Sequence, residues 1–82
     1  MLRKGMIWMP MDKKDQLAEL ISNAETSFYN GQLQEAFSLS LSAIKLDENC
    51  ADAYQCAANV CMSLSRYEDA IEYYQKVQIY IM

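Results

Sequence analysis

The sequence of 82 residues contains no histidine, a single proline and two glycines. Histidine is the most frequent general base and the most frequent metal ligand in proteins, so most hydrolase and zinc-enzyme mechanisms lack an obvious residue here. The sequence also shows no nucleophile paired with a base, no phosphate-binding loop and no paired carboxylates that would mark an active site. We therefore expect a protein that is not an enzyme and binds neither a metal nor another cofactor.

Long apolar runs are also missing. No stretch approaches the roughly twenty apolar residues that span a bilayer, and the apolar piece 6–9 is too short for the core of a secretory signal. The three cysteines, Cys50, Cys56 and Cys61, are an odd number whose spacing matches no metal motif. Unpaired cysteines fit a reducing compartment, and Cys61 is predicted to be a buried packing thiol. These features predict a cytoplasmic protein without a membrane partner.

The charge is negative overall and unevenly distributed. The net charge is −4, but the first fourteen residues carry about +3, which leaves about −7 on the remainder. An acidic surface does not suit nucleic acid, because binding to phosphates needs a clustered basic face. The acidic part of the chain is better suited to a basic or neutral peptide.

The first eleven residues differ from the rest. Gly5 and Pro10 interrupt them, so the segment 1–11 is predicted to be a flexible N-terminal arm. Trp8 lies in its apolar part, and a tryptophan gains much by burial. The arm could lie in a groove of its own protein or of a neighbour, or it could be a tail without a role.

Two helices are predicted after this arm. The first is capped by Asp12, has Asp15 in its first turn and ends at Asn30-Gly31, where glycine can adopt the left-handed conformation of a turn. It presents one apolar stripe made of Leu17, Leu20, Ile21, Ala24 and Phe28. The second is predicted over Leu33 to Lys45. Its predicted buried residues are Ala36, Phe37, Leu41, Ala43 and Ile44.

Two more helices are predicted between Ala51 and Val77. We expect Asn49 to cap the third helix, and Ser65 with Glu68 to form a capping box at the start of the fourth. The predicted close-approach residues are small: Ala57, Ala58, Cys61 and Ala70. The residues predicted to fill the space beside them are large: Tyr54, Met62, Tyr67, Ile71, Tyr74 and Val77.

This stretch resembles the tetratricopeptide repeat, whose 34-residue pattern is W-x2-L-G-x2-Y, then A-x3-F, then P. The matching positions are Tyr54, Ala57, Ala58, Cys61, Ala70, Tyr74 and Met82. A weaker copy lies 34 residues earlier, with Leu20, Asn23, Ala24, Ser27, Ala36, Ser40 and Glu48. The resemblance covers Leu17 to Met82. It implies an all-α fold in which two stacked antiparallel helix-turn-helix repeats, about 17–50 and 51–82, form a short right-handed superhelix within a domain 12–82.

The resemblance also implies a binding surface. In this family the first helix of each pair lines a concave groove that holds peptides or helices of partner proteins. The residues implied here are Ile21, Glu25, Phe28, Tyr29, Gln55, Asn59 and Met62. Asn59 is the expected hydrogen-bonding residue, because an amide both donates and accepts. The carboxylate clamp of the chaperone-binding members is absent, since its places hold Ile21, Glu25 and Cys56.

We therefore expect a non-catalytic adaptor or chaperone-like module that binds a protein or peptide partner. Two alternatives stay open. The chain could be a fragment of a larger, enzyme-linked repeat protein, or it could self-associate into a homodimer. Self-association would use Trp8 and the apolar C-terminal end, where the sequence has Ile79, Tyr80 and Ile81 without a polar cap.

Overall fold

A computed structural model describes residues 12–81, which form four helices and contain no strand. The helices are α1 (Lys13–Tyr29), α2 (Leu33–Leu46), α3 (Ala51–Ser63) and α4 (Tyr67–Tyr80). The all-α helical-repeat prediction is confirmed, because α1 with α2 and α3 with α4 are two consecutive helical hairpins. The predicted arm 1–11, with Trp8, and Met82 lie outside the described residues. The proposed domain limits therefore stay a prediction.

Helix α3 is the centre of the packing, because it contacts each of the other three helices. It also supplies the largest share of the buried residues, which are Ala53, Tyr54, Cys56, Ala57, Ala58, Val60 and Cys61. The other helices bury two or three residues each. A change in α3 is thus expected to affect both hairpins at once.

Small side chains occupy the points where helices cross. The alanines with no exposed surface are Ala36, Ala43, Ala53, Ala57, Ala58 and Ala70. Because the distance between two packed helices depends on the side chains at the contact, alanines allow the backbones to approach closely. The predicted small residues of the second hairpin, which include Cys61, are all buried, so this prediction is confirmed.

The predicted filling residues are only partly buried. Tyr54 and Val77 are buried, but Met62, Tyr67 and Ile71 are exposed, so the prediction is wrong for these three. Tyr67 and Ile71 lie on a side of α4 that no described helix covers. Leu41 is also exposed although burial was predicted. It lies about 100° around α2 from Ser40 and therefore off the buried face of that helix.

An aromatic cluster joins the two hairpins. The ring of Tyr73 lies 6.4 Å from that of Phe37 and 6.3 Å from that of Tyr54, and Tyr80 stacks on Tyr54 at 5.6 Å. The guanidinium of Arg66 lies 5.3 Å from the centre of the Phe37 ring. Such contacts between rings, and between a cation and a ring, add to the free energy gained by burial. They hold the second hairpin against α2.

The connection between the hairpins is fixed by a tyrosine. The hydroxyl of Tyr54 donates a hydrogen bond of 2.7 Å to the carbonyl oxygen of Glu48. Asn49 does not cap α3 as predicted; it lies one residue too early, in a local turn where its N–H donates to Asp47 Oδ1 at 3.0 Å. The N-cap of α3 is Cys50, without a side-chain hydrogen bond. By contrast, the predicted cap of α1 is confirmed, since Asp12 Oδ1 accepts from the N–H of Asp15.

Both hairpins turn in the same way. In the first, Gly31 has φ of 81°, and the N–H of Gln32 donates to the carbonyl of Ser27 at 2.8 Å. In the second, Ser65 has φ of 62°, and the N–H of Arg66 donates to the carbonyl of Cys61 at 2.8 Å. This six-to-one bond after a left-handed residue is a Schellman motif.

The predicted capping box at the start of α4 is therefore wrong. Ser65 ends α3 in the left-handed conformation and does not cap the next helix, whose N-cap is Arg66 without a side-chain hydrogen bond. Glu68 remains in the first turn of α4, where its charge complements the helix dipole. The turn thus places a serine where glycine is preferred.

Exchanging the two turn residues should change stability in opposite directions. A left-handed conformation costs a residue with a Cβ about 1–2 kcal/mol, partly offset because glycine leaves the unfolded chain more freedom. We expect Ser65→Gly to raise the free energy of unfolding by about 0.5–1 kcal/mol and Gly31→Ser to lower it similarly. No atom lies within 4 Å of a Cβ built on Gly31, so a serine side chain would not clash there. The Gly31→Ser substitution therefore tests only the cost of the left-handed backbone conformation. Urea unfolding followed by circular dichroism measures both, and shifts of the same sign would contradict the assignment.

Candidate functional site

A shallow cleft lies between α1 and α3 on the face expected to be concave. It is lined by Ala24, Glu25, Phe28, Tyr29, Cys56, Asn59 and Val60. Its volume is about 40 Å³, whereas pockets for small molecules and cofactors usually measure about 300–1,000 Å³. The cleft is therefore too small to enclose such a ligand, and its geometry suits a partner that lies across the surface.

Four of the predicted groove residues meet at this cleft. Glu25, Phe28, Tyr29 and Asn59 line it together. The other three predicted residues do not line it: Ile21, Gln55 and Met62. The predicted groove did not include Ala24 and Val60, which are buried and line the cleft from below. A signal was available for Ala24, because it belongs to the same apolar stripe of α1 as Phe28.

Three of the residues predicted for self-association lie in the part of the chain that the structure describes, and they do not share one face. Ile79 and Ile81 are exposed, but residues two positions apart on a helix point about 200° away from each other. Tyr80 is half-buried against Tyr54, and Trp8 lies outside the described residues.

Tyr29 is the most prominent apolar group of the cleft. Its side chain is 81% exposed, and its ring meets that of the half-buried Phe28 edge to face at 5.5 Å. An exposed aromatic ring that is held by a second ring offers a large contact area at a low cost in conformational entropy. It is the residue of the cleft best suited to contact an apolar side chain of a partner.

Asn59 is held in place from two sides. The hydroxyl of Tyr74 donates to Asn59 Oδ1 at 2.8 Å, and Gln55 Nε2 donates to the same oxygen at 3.3 Å. The first bond links α3 to α4 and fixes the amide at the edge of the cleft. Sequence reasoning missed this role of Tyr74, although Asn59 lies six residues before Ser65 and Tyr74 eight residues after Arg66. Residues at similar distances from a hairpin turn lie close together in antiparallel helices.

The pKa of the Cys56 thiol reflects burial and nearby charges at this face. Burial of the thiol, and after it the nearby carboxylates of Glu25 and Asp52, raise its pKa to about 11. A thiol with this pKa is protonated near pH 7 and is a poor nucleophile. Burial is the largest cause of this raised pKa, and the two carboxylates add negative charge beside the cleft.

The other surfaces of residues 12–81 are less suited to binding a ligand or a partner. An open depression at the α3–α4 turn is lined by five consecutive residues, 65–69, in which Arg66 is already paired with Asp69 at 2.9 Å. Residues 12–81 contain no cluster of side chains able to hold a metal ion. None of the four described helices is both long and apolar enough to cross a bilayer.

Removing the hydroxyl that holds Asn59 should reduce stability. We expect Tyr74→Phe to lower the free energy of unfolding by about 1 kcal/mol, the usual net value of a hydrogen bond. Tyr67→Phe is the matched control, because the Tyr67 hydroxyl lies 3.4 Å from Ser65 Oγ in an exposed position and should contribute little. Urea unfolding of both variants measures the difference. Equal effects would show that Asn59 is not held by this bond.

The three thiols should differ in reactivity. All are free, but Cys50 is half-buried whereas Cys56 and Cys61 are buried. Burial raises the pKa of both buried thiols, so the reactive thiolate is scarce near neutral pH. We expect Cys50 to react first with iodoacetamide at pH 8, and Cys56 to accelerate as the pH rises towards 11. Peptide mass spectrometry at successive times measures this, and faster labelling of Cys56 than of Cys50 would contradict it.

Comparison with known proteins agrees with the repeat architecture. The family model described as anaphase-promoting complex, cyclosome, subunit 3, which is a family of tetratricopeptide-type repeats, matches residues 9–77. No curated protein and no solved structure shows significant similarity. The match includes both hairpins, except for the last residues of α4, and the cleft between them. The chain therefore belongs to the family of anaphase-promoting complex, cyclosome, subunit 3, a tetratricopeptide-type repeat family.

Proposed function

We propose that this chain is a non-catalytic adaptor or chaperone-like module that holds a peptide or helix of a partner protein across the cleft between α1 and α3. The observation that carries the proposal is the combination of a cleft of about 40 Å³ with an exposed aromatic ring at its rim. Such a surface can bind a peptide segment that lies along it. Repeats of this type are typically interaction modules without catalysis, which supports the same conclusion.

The cleft supplies both kinds of contact that a peptide needs. Tyr29 gives an apolar surface, and Met62, which is exposed further along α3, can extend it. Asn59 accepts bonds from Tyr74 and Gln55 through its oxygen, so its N–H groups remain to donate to a backbone carbonyl. The fixed amide would determine the register of the bound segment, because a hydrogen bond requires a defined distance and angle.

The charge of the cleft favours a basic segment. Glu25 and Asp52 lie close enough to Cys56 to raise its pKa, so both carboxylates act on the same small region. A lysine or arginine of the partner would be attracted there, and the attraction would weaken as salt screens it. The same charge disfavours nucleic acid, whose phosphates would be repelled.

The family name supports a protein partner. It describes a subunit of the anaphase-promoting complex, and a subunit functions in contact with other chains. The alternative in which the chain is part of a larger, enzyme-linked repeat protein shares this interaction role. We also propose a reducing, cytoplasmic location, because the three cysteines are free.

Reversing one charge in the cleft should abolish the preference for basic peptides. Peptides selected from a random display library on the unchanged protein should be enriched in lysine and arginine. We expect Glu25→Lys to weaken the selected peptides at least tenfold, because it replaces an attractive charge at the cleft by a repulsive one. Fluorescence anisotropy at low and high salt measures the affinities.

Glu35→Lys is the matched control. It makes the same change in net charge at an exposed position in the first turn of α2, outside the cleft. Its affinities should stay within about twofold of the unchanged protein, since distant exposed charges are largely screened. Acidic selected peptides, or equal losses in both variants, would overturn the groove assignment.

A further inference from the structure

The arm 1–11 carries the chemical groups that suit the cleft. Its only charged side chains are those of Arg3 and Lys4, and both are basic. The apolar run 6–9 follows them and includes Trp8, whose ring gains much free energy by burial. A segment that combines positive charge with large apolar side chains is the class of ligand proposed above for the cleft. The chain therefore contains a possible occupant of its own binding surface.

The carboxylates near the cleft lie along the path that leads from the start of α1. Glu25 lines the cleft, and Asp52 lies one helical turn before Cys56, which also lines it. Because the second repeat follows the first by 34 residues, Asp52 is at the level of Ala18 in α1. Ala18 is about two turns closer than Glu25 to the start of that helix. A segment that runs from there into the cleft passes Asp52 first and then Glu25.

The arm is long enough to reach the cleft. Glu25 lies thirteen residues after Asp12, which corresponds to about 20 Å along α1. An extended chain covers this distance in about six residues, whereas Lys4 lies eight residues before Asp12. Trp8, four residues before Asp12, could lie about 13 Å along α1, at the level of the half-buried Ile21. The basic residues thus reach Glu25 without full extension of the arm.

The exposed apolar residues of α4 are a less suitable site for the arm. Ile71 and Ile79 are exposed there, but among the described helices α1 packs against α2 and α3 and not against α4. The arm starts at α1, so it would have to pass over another helix to reach α4. The cleft, by contrast, is bordered by α1 itself. The short connection therefore gives the arm a high effective concentration at the cleft.

From this charge complementarity and reach, we propose that the arm 1–11 occupies the cleft of its own chain and competes there with the partner segment. Its basic side chains pair with Glu25, and Trp8 packs beside Ile21. This regulation rests on the proposed function, because it takes the cleft to be a site for basic segments. A partner has to displace the arm, so its apparent affinity is reduced by the fraction of molecules whose cleft is free. Segments that bind more weakly than the arm are thereby excluded.

The fluorescence of Trp8 measures whether the arm is bound, because Trp8 is the only tryptophan in the chain. A buried tryptophan emits at shorter wavelengths than an exposed one and is quenched less by acrylamide. If the arm occupies the cleft in about two thirds of the molecules, acrylamide should quench the full chain about two- to threefold less than a variant whose arm is released. Adding a basic peptide selected on the unchanged protein should remove this protection.

Three charge reversals test where the arm lies. Glu25→Lys should release it and raise the quenching of Trp8 about two- to threefold. Glu35→Lys, at an exposed position outside the cleft, is the matched control and should change quenching by less than about 1.3-fold. Glu72→Lys, at an exposed position next to Ile71, tests the surface of α4. Equal quenching in all four proteins would overturn the proposal, and so would release by Glu72→Lys alone, which would place the arm on α4.

Changes in the arm test the pairing with Glu25 and the competition separately. Arg3→Glu with Lys4→Glu should expose Trp8, and adding Glu25→Lys should restore at least about half of the protection, because opposite charges face each other again. No recovery would overturn the pairing. Arg3→Gln with Lys4→Gln should bind the selected peptides at least about threefold more tightly than the unchanged protein, because its cleft is free. Unchanged affinity in fluorescence anisotropy would overturn the competition.

Dilution distinguishes the arm of the same chain from that of a neighbour. An intramolecular contact does not depend on concentration, so quenching of Trp8 should stay constant over about a hundredfold dilution. Quenching that rises on dilution would place the arm in the cleft of another copy and overturn the proposal. An exposed Trp8 together with peptide binding that depends on Glu25 would refute the arm contact and retain the proposed function. A Trp8 protected through Glu25, without any preference for basic peptides, would do the reverse.

Discussion

The close approach of helices at alanine contacts is the constraint on which the rest of this structure depends. Ala57 and Ala58 of α3 and Ala70 of α4 are without exposed surface, so the backbones of these two helices can approach closely at the alanine contacts. This close approach places Tyr74 where its hydroxyl reaches Asn59. In the first hairpin, Ala36 and Ala43 of α2 are likewise without exposed surface, and α2 contacts both α1 and α3, the two helices that border the cleft. A larger side chain at these positions would therefore shift the helices on either side of the cleft.

Because the close contacts are made by small residues, the core contains little apolar volume. The largest fully buried side chains are those of Val60, Cys61 and Ser40. Much of the remaining packing comes from tyrosines at the border of the core, where Tyr80 stacks on Tyr54 and the ring of Tyr73 lies tilted beside it. A small core leaves a chain of this size with only a few kcal/mol of stability. Contacts made by a peptide bound in the cleft would then add appreciably to stability.

The sequence was sufficient to predict the four helices and the small buried residues of the second hairpin, because both follow a period that repeats along the chain. It was insufficient where two local motifs compete for one residue. Ser65 can cap a following helix or end a preceding one, and a pattern of four letters cannot decide between them. The 34-residue repeat indicates which motif forms, because Ser65 lies 34 residues after Gly31. The left-handed conformation of Gly31 was correctly predicted, and Ser65 adopts the same conformation. The exposure of Met62, Tyr67 and Ile71 depends on which helices lie next to them, and neighbours are a property of the fold.

Two physical interactions would contribute to binding at the cleft, and they differ in their dependence on salt. The cleft combines carboxylates with a single aromatic ring, so the electrostatic attraction of a basic segment should decrease with salt. The apolar contact with the exposed ring of Tyr29 does not depend on screening and should persist at high salt. The salt dependence of binding therefore separates the two contributions without any substitution.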